Sequence, residues 1–128
     1  MSKISRRALA RYAVEELIAG KEADKVAKEM AAVMIEQEMA SSIEFLFGDI
    51  AWELERRGEL SIGRVISATP LPPLLKKALK DHIKKSTKVK DVMLEVKVDK
   101  SVLGGARVET PSKVWDGTIA KRLADLRE

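Results

Sequence analysis

Residues 96–123 read VKVDKSVLGGARVETPSKVWDGTIAKRL, and this stretch sets the expectation for the fold. Val96, Val98, Ala106, Val108 and Thr110 alternate with polar neighbours, the period of strands that bury one face. Gly104 and Gly105 fall where the chain must reverse, and adjacent glycines permit backbone conformations that a Cβ forbids. Pro111 and Ser112 mark a second turn, and Val114 and Trp115 resume a strand. Asp116-Gly117-Thr118 then opens a helix that carries Ile119, Leu123 and Leu126 inward. The order is strand, turn, strand, helix.

Working back from this stretch, Val92, Leu94, Val96 and Val98 alternate strictly, and Ile62, Val65 and Ile66 form an earlier strand that ends before Thr69-Pro70. Between them Pro72-Pro73 suits the first turn of a helix, where proline sacrifices no intrahelical hydrogen bond. Leu74, Leu75, Ala78, Leu79 and Ile83 supply its buried face. Strand, helix and strand make a βαβ-like unit, with a right-handed crossover if the strands are parallel.

Before Gly58 the pattern is helical throughout. Ser5 caps a first helix with Leu9, Tyr12, Ala13 and Leu17 on one stripe, ending near Ala19 at the Gly20 stop. Ala23, Val26, Ala27, Met30, Val33, Met34 and Gln37 define a second, and Ile43, Leu46, Phe47, Ile50 and Leu54 a third. Ser41 and Ser42 interrupt or re-cap the last two, although one long helix fits the same pattern. The expected fold class is α+β. A short helical bundle over residues 1–58 precedes a small α/β domain with a mixed sheet over residues 59–128.

The 128 residues are 45% hydrophobic and 34% charged, ordinary for a globular protein. No apolar run approaches the roughly 18–20 residues of a membrane-spanning helix, so membrane association is expected to be indirect. The start, Met1-Ser2-Lys3-Ile4, lacks the apolar core of a secretory signal, and Glu15 comes too early for a transit peptide. A bacterial cytoplasmic setting is the expectation. A formal charge of +4, from 24 basic and 20 acidic side chains, is a mild excess that does not choose a partner.

The chemistry of catalysis is missing. Zero cysteines remove disulfides, thiolate metal sites and thiol nucleophiles. With His82 the one histidine, neither a zinc site nor a histidine-based triad can be assembled, and a helix-surface role is expected for it. Glu15-Glu16 and Glu53-Glu55 read as solvated helix charges. Gly104-Gly105 lacks the sequence of a phosphate loop. Asp116, in a single D-G-T triplet, reads as a helix cap, and Met30, Met34 and Met39 read as adaptable packing. No catalytic residue, cofactor site or metal site is expected.

Three pieces in order carry a resemblance: Val65, Ser67, Ala68, Pro70 and Leu71; Val98, Asp99, Ser101, Leu103, Gly104 and Gly105; and Asp116, Gly117 and Thr118. Together they resemble the C-terminal pattern of the delta subunit of F-type ATP synthases, the family of the oligomycin-sensitivity-conferring protein. In that family V-x-SA-x-PL, VDxSLxGG and DGS lead into a final helix. Thr118 replaces the usual serine, and both hydroxyls can cap a helix. Arg7-Ala8-Leu9-Ala10-Arg11-Tyr12-Ala13 resembles the family's first helix and Phe47 to Gly58 the last helix of its N-terminal bundle. The helices between look depleted, about a hairpin short of a full-length relative.

The resemblance implies a non-catalytic stator subunit that links the catalytic head to the peripheral stalk, resists rotor torque and supports proton-driven ATP synthesis. It implies alpha subunits as partners of the helical domain and b subunits as partners of the C-terminal domain. It also implies a peripheral position at the cytoplasmic face of a bacterial inner or plasma membrane. Residues Leu9, Tyr12, Ala13, Leu17, Phe47, Ile50 and Leu54 are the candidates for a groove that takes an alpha-subunit N-terminal helix. The family-motif residues Ser67, Ala68, Pro70, Gly104, Gly105, Asp116, Gly117 and Thr118 have structural roles in this reading. The alternative is a small basic nucleic-acid-binding or generic interaction module built on Lys76, Lys77, Lys80, Lys84, Lys85, Lys88 and Lys90. Those lysines lie mostly opposite Leu75, Leu79 and Ile83, and aromatic residues for base stacking are missing nearby.

Overall fold

The computed structural model describes residues 4–102 and 104–117; Leu103 and the expected last helix, with Thr118, Ile119, Leu123 and Leu126, lie outside them. The chain divides into two compact units, Met1–Leu54 and Glu55–Glu128.

The first unit is helical. In α1 (Arg6–Ile18) the Ser5 hydroxyl accepts from the Ala8 N–H at 3.1 Å, satisfying one of the donors that a helix start leaves open. Gly20, at φ +96°, follows its end. After α2 (Ala23–Glu36) the chain breaks: Glu38 takes a left-handed φ of +58°, and a 3₁₀ turn over Ala40–Ser42 leads into α3 (Ile43–Arg56). The structure thus chooses two helices over one long one. Leu9, Ala10, Ala13, Val26, Met30, Met34 and Leu46 form the core, with Leu17, Val33, Met39, Ile43 and Ile50 packed at its margin.

The second unit holds a four-stranded sheet in the order β2-β1-β3-β4, comprising β1 (Leu60–Ser67), β2 (Asp91–Val98), β3 (Ala106–Glu109) and β4 (Val114–Asp116). β1 pairs in parallel with β2, from Leu60 opposite Asp91 to Ser67 opposite Val98. The other pairings are antiparallel, so the sheet is mixed and the α+β class holds. Between β1 and β2 runs α4 (Pro73–Thr87), with Pro73 in its first turn and Lys88 closing it in the left-handed region. Alternation along β1 puts Ser61, Gly63, Val65 and Ser67 on the buried side. There Val65, Ile83, Val89, Val92 and Val108 form the core. Gly63 permits the close approach of α4, because a Cβ would stand 2.9 Å from Ile83 Cδ1 and 3.1 Å from Leu94 Cδ2.

Three expectations are corrected. The buried face of α4 is narrower than the leucines suggest: Ile83 is wholly buried and Leu79 packs on the core, but Leu74, Leu75 and Ala78 are exposed. One helix over one sheet has room for a single stripe, and Leu74, nine residues before Ile83, lies about half a revolution away. Glu53 and Glu55 are buried rather than solvated. The Glu55 carboxylate accepts from the Ser61 hydroxyl at 3.0 Å and also from the Ser112 hydroxyl, so its burial is compensated. Along β2, Val92 is buried while Val96 and Val98 are exposed. Among the described residues no helix is long and apolar enough to cross a membrane.

Candidate functional site

The first unit carries two apolar depressions that flank α2. One, of about 220 Å³, is lined by Leu17, Ala23, Val26, Ala27, Met30, Ile43, Leu46, Phe47 and Ile50. Its depth comes from Ala23 and Ala27, small residues one turn apart whose short side chains leave the space between α2 and α3 unfilled. Phe47 stands 60% exposed at this groove. The other, of about 440 Å³, lies between α1 and α2 and is lined by Ile4, Ala8, Leu9, Tyr12, Glu29, Met30 and Val33. Its rim is charged. The Tyr12 hydroxyl donates to Glu29 at 3.5 Å, and Lys21 Nζ pairs with Glu29 at 2.6 Å and with Glu16 at 3.3 Å. The Glu16 carboxylate first, and then that of Glu29, raises the Tyr12 phenol above its ordinary value, while hydrogen bonding to Glu29 raises Lys21.

The seven groove candidates fall in different places. Leu17, Phe47 and Ile50 come together in the first depression, and Leu9 and Tyr12 in the second. Ala13 is wholly buried in the bundle core, and Leu54 is buried but lines neither depression. The reading of the sequence missed the contribution of α2. The Ala23-x-x-x-Ala27 spacing was its one available signal, and it reads equally well as plain helix.

In the second unit the motif residues gather at one end of the sheet. The Asp99 N–H donates to the Ser67 carbonyl at 2.7 Å, joining the first motif piece to the second, and the Ser67 hydroxyl donates to the Thr69 carbonyl at 2.6 Å. Ser67 also sits opposite Ala106, and the Gly117 N–H donates to the Ala106 carbonyl at 3.0 Å, which brings in the third piece. Ala68 and Pro70 leave β1 at this same end. Gly104 and Gly105 hold φ of +135° and +74°, a conformation that L side chains rarely adopt, on the turn into β3. Asp99 starts the 3₁₀ turn over Lys100–Val102 by accepting from the Ser101 N–H at 2.9 Å. Bonding from Ser101, first through its side chain and then through its backbone, holds the Asp99 carboxyl below its ordinary value. Asp116 ends β4 opposite Arg107, and the helix it is expected to cap lies outside the described residues, as does Thr118.

These bonds make a hydrogen-bonded corner. Among the described residues no group of three or more His, Cys, Asp or Glu is placed to hold a metal ion. His82 is exposed on α4, its ring in a T-shaped contact with Trp115 at 5.2 Å between centroids.

The chain is similar to ATP synthase subunits. The ATP synthase subunit delta of Anaeromyxobacter dehalogenans is 42% identical over 65 residues, covering 51% of this chain and 36% of that one. The ATP synthase subunit delta of Leifsonia xyli is 31% identical over 114 residues, covering 89% of this chain and 42% of the other. The chain thus spans less than half the length of these two curated relatives. A chain of the Toxoplasma gondii mitochondrial ATP synthase hexamer has the same fold at a TM-score of 0.64 with 10% identity, covering 97% of this chain and 69% of that one. The ATP synthase delta (OSCP) subunit family matches residues 2–128, and the chain belongs to that family.

Proposed function

We propose that this protein is a non-catalytic stator component that ties the catalytic head of an F-type ATP synthase to its peripheral stalk. Membership of the delta (OSCP) family carries this reading. On it, the protein resists rotor torque during proton-driven ATP synthesis and sits in a peripheral membrane complex at the cytoplasmic face of a bacterial membrane. The helical part, residues 1–58, grips an alpha-subunit N-terminal helix, and residues 59–128 attach to b subunits. The nucleic-acid alternative is not favoured, because the family match covers the chain and Trp115, the aromatic beside α4, is half-buried and in ring contact with His82.

The apolar grooves support the head-binding role, because an amphipathic helix can lay its apolar side along Leu17, Phe47 and Ile50. Covering a large apolar side chain fully contributes about 1.5–3 kcal/mol before costs. Association costs about 4–15 kcal/mol, so three such contacts hold weakly alone. Simultaneous attachment through the other domain raises the effective concentration and turns weak contacts into firm retention.

The test pairs Phe47→Asp with Glu44→Ala, an exposed control on the same helix. Titrated with an alpha-subunit N-terminal peptide, the first variant binds about tenfold or more weakly and the second within about twofold of wild type. Equal affinities would remove the groove from the proposal.

A further inference from the structure

Of the first three helices, two end on glycine and one does not. Gly20 at φ +96° follows α1 and Gly58 at φ +73° follows α3, but α2 gives way to Glu38 at φ +58°. The Glu38 N–H donates to the Ile35 carbonyl at 3.1 Å and the Met39 N–H to the Met34 carbonyl at 2.7 Å. These are the paired bonds of a helix ending whose left-handed position normally carries glycine. A side chain there crowds the following backbone, so this stop holds against a cost that the other two avoid. From Gln37 to Ser42 no glycine or proline opposes a helix. The stop also decides what α3 packs on. Ala23 of α2 and Ile50 of α3 line one groove, whereas in an unbroken helix they would stand about 40 Å apart.

We infer that at high concentration two copies of this chain exchange α3 across this break, forming a swapped dimer in which α2 and α3 run as one helix. Straightening carries α3 away from its own α2, and the contacts it leaves fix the occupant. Leu46 and Ile50 pack on residues of α1 and α2, and the segment that matches that surface side chain for side chain is the α3 of a second copy. The sequence suits the straight form. In an unbroken helix Ile35, Met39, Ile43, Leu46, Ile50 and Leu54 recur at spacings of four, four, three, four and four, within about 100° of one another. In the closed form Ile35 is 68% exposed and takes no part in the core. Exchange keeps the core contacts, relieves Glu38 in both copies and covers Ile35 and Met39 near the two-fold axis. Short connections under strain favour such exchange. The inference does not depend on the stator reading.

The test refolds the full chain from urea at a series of concentrations and reads its mass by light scattering after gel filtration. A dimer fraction grows with concentration up to about 1 mM. Because the chain has no cysteine, Ala27→Cys with Phe47→Cys places a single pair of thiols at the groove, one on α2 and one on α3. A short bismaleimide then links the dimer fraction between chains and the monomer fraction within one. Glu38→Gly, which accepts the left-handed φ and lowers helix propensity, weakens dimerisation at least about tenfold. Ile35→Glu, a change at an exposed position of the monomer, keeps the monomer's circular dichroism and weakens dimerisation about tenfold. A chain that stays monomeric throughout, a dimer linked only within chains, or a dimerisation constant that either of these two variants leaves unchanged overturns the inference.

Discussion

The two units hold themselves together by different means. In the helical unit the buried residues are Leu9, Ala10, Ala13, Val26, Met30, Met34 and Leu46, a core of small and flexible side chains that leaves apolar depressions on both flanks of α2. In the sheet unit β1 pairs with β2 from Leu60 to Ser67 and with β3 from Arg64 to Ser67, and the motif residues Ser67, Asp99 and Gly117 close its end, the last through the Ala106 carbonyl. The helical unit keeps its shape while exposing Phe47 and Tyr12, because helices satisfy their own backbone. A sheet lacks that freedom. Its strands depend on neighbours, and the turn residues between them are correspondingly specific.

This contrast makes the sheet unit the more sensitive to single changes at its centre. Ile83→Ala removes the side chain that joins α4 to the sheet and costs about 2–5 kcal/mol, read by chemical denaturation. Gly63→Val drives a branched side chain toward Ile83 and Leu94 and costs about 1–3 kcal/mol in the same assay. A wild-type value would show that the helix can lift away and would blur the difference between the units. Glu55→Ala leaves the Ser61 and Ser112 hydroxyls without their shared acceptor and costs about 1–3 kcal/mol. On the helical side, Ser5→Ala removes one cap and costs about 1 kcal/mol, measurable in the amide exchange of α1.

The smallest effect is a pH dependence at the sheet corner. The Asp99 carboxyl is held below its ordinary 3.8 by Ser101, so the stabilisation is complete above that value and is lost as pH falls through the lower folded-state value. Asp99→Asn keeps an acceptor without a titrating charge. Between about pH 6 and about pH 3 the wild type should lose stability relative to this variant, and parallel curves would assign the turn to its glycines instead.

Much of the fold was legible because it depends on neighbours in sequence. The Ser5 cap, the stop at Gly20, Pro73 in the first turn of α4 and the reversal at Gly104-Gly105 each follow from local backbone chemistry. The break after α2 was ambiguous, because Glu38 adopts a positive φ without the glycine that normally announces one. The groove was only partly legible. Leu17, Phe47 and Ile50 belong to expected stripes, but the space they line exists because Ala23 and Ala27 on another helix fail to fill it.

By itself the sequence determined the order of elements, the two-part organisation of helices followed by sheet, and the motif residues, since periodicity and turn chemistry act within a few residues. Tertiary structure alone decided which leucines of α4 are buried, since Leu74, Leu75, Leu79 and Ile83 spread around more of the helix than one sheet can cover. It likewise decided that Glu55 is buried, because the hydroxyls that satisfy it come from positions 61 and 112. Burial is a property of what packs against a residue, and for these the partner lies elsewhere in the chain.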